Sequence, residues 1–226
     1  MEIIVGPTPQ DTAELAATWM ARRITSAVRL REVCRVAVSG GATPALMLDA
    51  LATMALPWKQ VHLYQVDERV ATDGDPDRNA TQLTEHLIDR IQIPARNVHL
   101  MPVTAASLGR ACARYAASLG DEPLDIVHLG IGDDGHTASW PPGDPVIDVS
   151  DPVAMSAVYN GRIRMTLTPG VVNAARARMM LSVGVSKSGP LAGWMLHRGD
   201  LPVRRVRRTG TTLILDQAAA SQLQHG

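Results

Sequence analysis

The stretch GIGDDGHTAS at 130–139 places polar side chains directly after an apolar run, LDIVHL at 124–129. Its three glycines allow sharp turns of the backbone, so Asp134 and His136, which flank one of them, can both face one pocket. A histidine in such a place can act as a general base near neutral pH. The structural alternative is that Asp133 or Asp134 caps a following helix while His136 is an ordinary loop histidine. These residues alone leave both interpretations open.

A second polar stretch, SGGATP at 39–44, follows another apolar run and opens a helical pattern. Gly40 and Gly41 would let the backbone approach a ligand closely, and Ser39 and Thr43 offer hydroxyl groups. Together with the free N–H groups of a helix N-terminus, these features favour phosphate as the ligand. The alternative is a tight strand-to-helix turn with an ordinary cap, because the stretch matches neither a Walker loop nor a GxGxxG fingerprint.

Two charged stretches also follow apolar runs, VDERV at 66–70 and GVSKSGP at 184–190. Arg69 can hold a phosphate or carboxylate in bidentate fashion, beside the carboxylate of Asp67. Lys187 adds a single cation at a strand-to-helix turn. The alternatives are a solvated, self-paired charge cluster and a solvated lysine, and both are common.

Apolar runs that alternate with helical patterns are expected to position these stretches. Strands are predicted at 2–5, 35–39, 61–66, 97–103, 124–131, 162–168, 179–185 and 211–216. Helices are predicted at 11–30, 45–55, 80–90, 107–119, 169–177 and 189–198. Thr43 is the predicted N-cap of the helix that Pro44 opens, and the Arg78-Asn79 pair at the next helix is expected to fold back toward the same site.

The alternation predicts an α/β fold with an open, mainly parallel, doubly wound sheet and helices on both faces, Rossmann-like in architecture. The alternating pattern of 162–168 indicates a strand at a small antiparallel edge of that sheet. Ligands bind at the carboxyl ends of strands in such sheets, so the four polar stretches should meet at one edge.

Composition limits the partners that the chain can have. With 226 residues and 46% hydrophobic residues, residues 1–226 are expected to form a single domain. A formal net charge of zero argues against nucleic acid and membrane surfaces as partners. Cys34 and Cys112 are predicted to be separate buried thiols, and no signal peptide or membrane-length apolar run is recognised. We therefore expect a cytoplasmic protein, a monomer or a weak homo-oligomer.

The stretches VAVSGGATP, VHLYQVDERV with the later RNATQL, LDIVHLGIGDDGHTAS, RMTLT and VGVSKSGPL resemble, in order and spacing, the 6-phosphogluconolactonase family. This family belongs to a wider group that includes glucosamine-6-phosphate deaminases/isomerases. The resemblance covers nearly the whole chain. It implies hydrolysis of 6-phospho-D-glucono-1,5-lactone to 6-phospho-D-gluconate in the oxidative pentose phosphate pathway, with a small sugar phosphate as the partner. It implies no cofactor and no metal, because the lactone carbonyl is already reactive.

The resemblance also implies roles for individual residues. His136 would take a proton from the water that attacks the lactone carbonyl, and Asp134 would orient the imidazole or the substrate hydroxyls. The implied substrate-binding residues are Ser39, Gly40, Gly41, Thr43, Asp67, Arg69, Arg164 and Lys187. For Asp67, chemistry and support of the loop both stay open, and for Arg164 a phosphate ligand and a sheet-edge charge both stay open.

Two other functions are weighed against the lactonase. The deaminases of the wider group have the sequence D-E-Y where this chain has DER at 67–69. They also have a glutamate five residues after the histidine, where this chain has Pro141. A sensor that binds sugar phosphates without catalysis would have less reason to keep Asp134 and His136 together. The chain departs from the family pattern at Trp140-Pro141-Pro142. It also departs in SAVYNGRIRMT, which lacks the lysine that many members have before the R-M-T sequence. Arg162 or Arg164 would then supply the missing positive charge.

Overall fold

The computed structural model describes residues 1–223 and forms them into a seven-stranded sheet and a three-stranded sheet with surrounding helices. The strands of the larger sheet are Glu2–Gly6 (β1), Cys34–Val38 (β2), Val61–Gln65 (β3), Val98–His99 (β5), Ile126–Leu129 (β6), Ala177–Ser182 (β9) and Thr211–Asp216 (β10). The smaller sheet contains Asp67–Arg69 (β4), Val153–Met155 (β7) and Arg164–Leu167 (β8). The α-helices are Pro9–Arg31 (α1), Ala42–Ala52 (α2), Asn79–His86 (α3), Leu108–Leu119 (α4), Pro169–Ala174 (α5), Ser188–Met195 (α6) and Gln217–Ala220 (α7).

All pairs in the seven-stranded sheet are parallel, in the order β1-β10-β9-β6-β2-β3-β5. The two faces of the sheet face two separate apolar clusters. Ala37 packs into a cluster with residues of α4, whereas Val36 and Val38 pack into a cluster with residues of α1 and α2. Because successive side chains of a strand point to opposite faces, helices cover both faces of the sheet. The predicted doubly wound α/β fold is confirmed.

The direction of strand succession reverses between β2 and β6. From β2 the sheet continues through β3 to β5, and from β6 it continues on the other side through β9 to β10. A crevice opens where the strand order reverses, because the two following connections leave in opposite directions. The stretches after β2 and β6, residues 39–44 and 130–139, therefore emerge side by side.

The three-stranded sheet is antiparallel, in the order β4-β8-β7. The predicted small antiparallel element is thus confirmed, but the expectation that 162–168 lies at a sheet edge is wrong, because β8 is paired on both sides. Its neighbours β4 and β7 have three residues each, too few to show a period-two pattern in the sequence.

Several predicted boundaries also need correction. Helix α2 begins at Ala42, with Gly41 at the N-cap position with φ 122°, so Thr43 lies in the first turn and is not the cap. The predicted strand 97–103 is reduced to β5, and the predicted helix 80–90 ends at His86 before a short 3₁₀ turn. The other predicted elements agree with the structure to within a few residues.

The two cysteines are confirmed as buried free thiols. Among residues 1–223, we find no helix that combines the length and the apolar character needed to span a membrane.

Candidate active site

A cleft with a volume of about 250 Å³ opens at the crevice between the carboxyl ends of β2 and β6. All of the predicted site residues except Asp134 line it: Ser39, Gly40, Gly41, Thr43, Asp67, Arg69, His136, Arg164 and Lys187. Asp134 lies directly behind His136 and contacts it. The four polar stretches thus meet at one edge of the sheet, as the topology predicts.

His136 and Asp134 form a hydrogen-bonded pair. The Nδ1 atom of the imidazole lies 2.7 Å from Oδ1 of Asp134, and the backbone N–H of His136 donates to the same oxygen at 3.1 Å. Since a carboxylate oxygen only accepts, we assign the ring proton to Nδ1, which leaves Nε2 as a proton acceptor. The alternative in which Asp133 or Asp134 caps a helix is wrong, because turns and not a helix follow these residues.

The glycines of GIGDDGH make this pairing sterically feasible. A Cβ atom added to Gly132 would lie 1.9 Å from Nδ1 of His136, and Gly135 adopts φ 81° in the turn. The turn is closed by the backbone N–H of Gly132, which donates to the carbonyl of His136 at 2.8 Å. Downstream, the buried indole of Trp140 donates to the carbonyl of Leu167 at 2.8 Å and anchors the loop against β8.

The surroundings keep Asp134 ionised. Partial burial alone would raise the pKa of this carboxyl, but hydrogen bonds from the Tyr159 hydroxyl and from His136 outweigh burial and lower the pKa to about 2. The neighbouring Asp133 contacts the ammonium of Lys187, and hydrogen bonds from Lys187 and Ser186 lower its pKa as well. Lys187 is therefore paired in this structure, in contrast to a freely solvated lysine.

Tyr159 is the residue at this site that the sequence analysis misses. Its hydroxyl lies 2.7 Å from Oδ2 of Asp134 and 3.1 Å from Nδ1 of His136. Tyr159 lies in SAVYNGRIRMT, whose only feature singled out from the sequence is its missing lysine. The available signal is the Asn160-Gly161 pair that follows it, because Asn-Gly is typical of two-residue β-hairpin turns.

Ser39 and Gly41 use part of their hydrogen-bonding capacity inside the protein. The Ser39 hydroxyl donates to the carbonyl of His128 at 3.0 Å, and the backbone N–H of Gly41 donates to Oε1 of Gln82 at 2.9 Å. Gly40 packs so closely on Asn79 that an added Cβ would lie 2.1 Å from its Oδ1 atom. The glycines therefore set the shape of this wall of the cleft.

Two arginines stand opposite each other on β4 and β8, with Arg69 in register with Arg164. In each of them the buried Nε atom has no hydrogen-bond partner among the described residues. Burial, together with the charge of Arg69, lowers the pKa of Arg164. Buried guanidinium donors without a partner favour an anion in the cleft. Arg164 is buried and lies on β8, the central strand of its sheet, so it is not a sheet-edge charge.

Asp67 supports the loop in this structure. Its Oδ2 atom accepts a hydrogen bond from the Ser139 hydroxyl at 2.6 Å, and its Oδ1 atom accepts one from the Asn79 amide at 3.2 Å. Asn79 also accepts a hydrogen bond from Arg69, at 2.8 Å. Of the predicted Arg78-Asn79 pair, Asn79 returns to the site and links Asp67 to the arginine beside it, whereas Arg78 does not line the cleft.

The two carboxylates of VDERV are buried, in contrast to the solvated cluster of the alternative interpretation. Glu68 is fully buried and accepts hydrogen bonds from the backbone N–H groups of Asn79 and Ala80, both at 2.8 Å. Its carboxylate also pairs with Nε of Arg78 at 3.3 Å. Within the described part of the chain, no group of three His, Cys, Asp or Glu side chains is arranged to hold a metal ion.

Fold and cleft together define a doubly wound α/β protein with a histidine–aspartate pair and an arginine-lined crevice at the strand switch. Residues 7–215 match the family model described as glucosamine-6-phosphate isomerases/6-phosphogluconolactonase. The chain therefore belongs to this family, which confirms the membership that the motifs predict.

Relatives and solved structures agree with this assignment. The chain is 34% identical over 228 residues to the 6-phosphogluconolactonase of Synechocystis, with 95% of each chain covered. It is 30% identical to that of Streptomyces coelicolor, with 98% of this chain and 94% of the relative covered. The structure of 6-phosphogluconolactonase from Thermotoga maritima is similar with a TM-score of 0.87 at 23% identity, covering 95% of this chain and 98% of that one. A monomeric glucosamine-6-phosphate deaminase has a TM-score of 0.85 at 19% identity, covering 98% and 100%, so the fold alone does not separate the two activities.

Proposed function

We propose that this single-domain protein hydrolyses 6-phospho-D-glucono-1,5-lactone to 6-phospho-D-gluconate, a step of the oxidative pentose phosphate pathway. The observation that carries the proposal is the His136–Asp134 pair, whose imidazole lines the same cleft as Arg69 and Arg164. A base and an anion site in one cleft suit a phosphorylated substrate that reacts with water. The curated relatives named 6-phosphogluconolactonase support the same substrate.

In the proposed mechanism, Nε2 of His136 takes a proton from a water molecule as its oxygen attacks C1 of the lactone. Asp134 holds the tautomer that leaves Nε2 unprotonated, and its charge stabilises the imidazolium that forms. The tetrahedral oxyanion at C1 needs hydrogen-bond donors nearby, and backbone N–H groups of the glycine-rich stretches that line the cleft would supply them. The bond between C1 and the ring oxygen then breaks, and the imidazolium returns its proton to that oxygen.

The unpartnered Nε–H groups make Arg69 and Arg164 the main ligands proposed for the 6-phosphate. A guanidinium can bind a phosphate through two parallel hydrogen bonds, which fixes both position and orientation. Thr43 and Lys187 lie on the same cleft and add a hydroxyl and a cation. Holding the phosphate in this way would place C1 for attack and lower the entropic cost of the reaction.

A lactonase assay with His136→Ala tests this function. The lactone is generated in place by glucose-6-phosphate dehydrogenase, and its loss is followed against spontaneous hydrolysis. We expect the wild type to be much faster than the blank, and His136→Ala to lose about 10²–10⁴-fold in kcat/KM because the general base is removed. The matched control is His62→Ala, which should keep full activity. His62 lies near the N-terminal end of β3, away from the cleft at the carboxyl ends of the strands.

A wild type no faster than spontaneous hydrolysis would contradict the lactonase, and turnover of glucosamine 6-phosphate would then be measured. Equal rates for the wild type and His136→Ala would keep the function but exclude His136 as its base.

A further inference from the structure

Tyr159 lies on a tight hairpin beside the cleft. The backbone N–H of Tyr159 donates to the carbonyl of Arg162 at 2.9 Å, and that of Arg162 donates back at 3.2 Å. Between them, Asn160 adopts φ 49° and Gly161 adopts φ 75°, as a type I′ turn requires. The turn type therefore fixes the direction in which the side chain of Tyr159 leaves the backbone.

Charged contacts on both sides hold the hairpin in place. Arg162 lies 3.0 Å from Oδ2 of Asp75 and 3.3 Å from Oδ2 of Asp77, both in the loop between β4 and α3. On the cleft side, the guanidinium of Arg164 lies 5.1 Å from the centre of the Tyr159 ring, within range of a cation–π contact. The ring is thus held by a cleft residue, and Arg162 acts as a structural anchor and not as replacement charge in the cleft.

The hydroxyl of Tyr159 is a donor to Asp134 throughout the pH range of an assay. Partial burial and the hydrogen bond to Asp134 raise the pKa of Tyr159 to about 12, so the phenol keeps its proton. Each oxygen of Asp134 then has its own donor, His136 on Oδ1 and Tyr159 on Oδ2. Tyr159 does not itself line the cleft, so its effect on a reaction there must pass through the residues it contacts, which are Asp134, His136 and Arg164.

We propose that Tyr159 is a positioning residue for the His136–Asp134 pair. Its hydroxyl holds the Asp134 carboxylate in one rotation and reduces the negative charge that this carboxylate presents to the imidazole. The proposal rests on the proposed function for its catalytic consequence. Without the Tyr159 hydroxyl, Oδ2 is freed, the carboxylate can rotate, and its negative charge acts more strongly on the imidazole. The imidazolium is then easier to form and harder to position.

The experiment compares Tyr159→Phe with the wild type, which differ by one oxygen atom. We expect kcat to fall about tenfold with KM changed less than about twofold, because the base is misplaced while the phosphate ligands stay intact. The acid limb of the kcat/KM profile should move to higher pH, since the carboxylate without its donor favours the charged ring. The other charges near the pair (Asp133, Lys187, Asp67, Arg69 and Arg164) are the same in both proteins.

A second measurement separates this proposal from the proposed function. NMR titration of the His136 ring needs no substrate, and in Tyr159→Phe the ring should protonate at a higher pH than in the wild type. Tyr64→Phe is the control, because it removes a hydroxyl that contacts the carbonyl of Ser118 outside the cleft. An unchanged ring titration and an unchanged kcat in Tyr159→Phe would overturn the proposal. A shifted ring titration in a protein with no lactonase activity would keep the positioning role and reject the function.

Discussion

Gly132 is the residue on which the geometry of the histidine–aspartate pair depends most directly. Its α-carbon faces the imidazole of His136 so closely that a methyl group there would overlap Nδ1. Gly132→Ala should therefore push the ring away from Asp134 and lower kcat by about 10²-fold, an effect typical of misplacing a reacting group by about 1 Å. Steady-state kinetics with the generated lactone measures the loss.

Gly170→Ala, in α5 and outside the cleft, is the matched control for that substitution. A Cβ at Gly170 would meet only the hydroxyl of Thr168, at the ordinary contact distance of 3.9 Å. This variant should keep most of the activity, and circular dichroism should show both variants folded. Wild-type kinetics in Gly132→Ala would mean that the imidazole position seen here is not needed for turnover.

At the scale of residues, the sequence could predict contacts between near neighbours but not distant ones. Asp134 and His136 flank a glycine, so the spacing alone suggests that both face one pocket. Tyr159 is 23 residues further along the chain than His136. No periodicity connects them, because a hairpin brings the tyrosine to the pair only once β8 is in place. The cap assigned to Thr43 failed for a local reason, since Gly41 with its positive φ starts the helix earlier.

At the scale of elements, Glu68 joins the small sheet to α3. Its buried carboxylate receives the first two N–H groups of that helix and the guanidinium of Arg78. A negative charge at a helix N-terminus is stabilising, and here it also fixes where α3 begins relative to Arg69. The arginine that lines the cleft is thus positioned by the residue before it.

Glu68→Gln should destabilise the protein by about 3 kcal/mol, because it removes the buried partner of an ion pair and leaves Arg78 with only the exposed carboxylate of Asp73. Urea unfolding followed by circular dichroism measures the free energy. Asp73→Asn provides the comparison, since Asp73 contacts the same arginine but its side chain is 82% exposed. That change should alter stability by less than about 1 kcal/mol. Equal effects of the two substitutions would show that burial of Glu68 contributes nothing.

Elements were predictable from the sequence where they are long and apolar. The strands β6, β9 and β10 are buried throughout and appear as nearly continuous hydrophobic runs, as expected for strands covered on both faces. The three-residue strands β4 and β7 leave no such pattern. Strand order is equally hidden, because it depends on which strand edges meet in space and not on any local period.

At the scale of the whole molecule, one buried histidine links the fold to pH. His128 on β6 is fully buried, and its Nδ1 atom accepts the backbone N–H of Ser39 at 3.3 Å. Burial lowers the pKa of His128 to about 3, from an ordinary value of 6.5. Between these two values the unfolded chain binds a proton that the folded protein excludes. This histidine therefore costs stability progressively as the pH falls below 6.5, at about 1.4 kcal/mol per pH unit.

His128→Asn tests that dependence, because an amide oxygen can replace Nδ1 as acceptor without taking up a proton. The loss of unfolding free energy from pH 7 to pH 5 should be about 2 kcal/mol smaller in His128→Asn than in the wild type. Urea unfolding at several pH values provides the comparison. His197→Asn, at an exposed histidine with φ 56°, should leave the dependence unchanged. Parallel curves for His128→Asn and the wild type would contradict the assignment.

The parallel pairing of β1 with β10 places the first strand of the chain beside the last strand of the sheet. A ribosome makes the chain from its N-terminus, so β1 emerges early and has no partner until residues 211–216 have been made. Until then β9 is also an open edge, although every residue that lines the cleft has already been synthesised. Such long-range pairing folds slowly and leaves strand edges open to wrong partners. The nascent chain is consequently exposed to misassembly until residues 211–216 pair with β1 and β9.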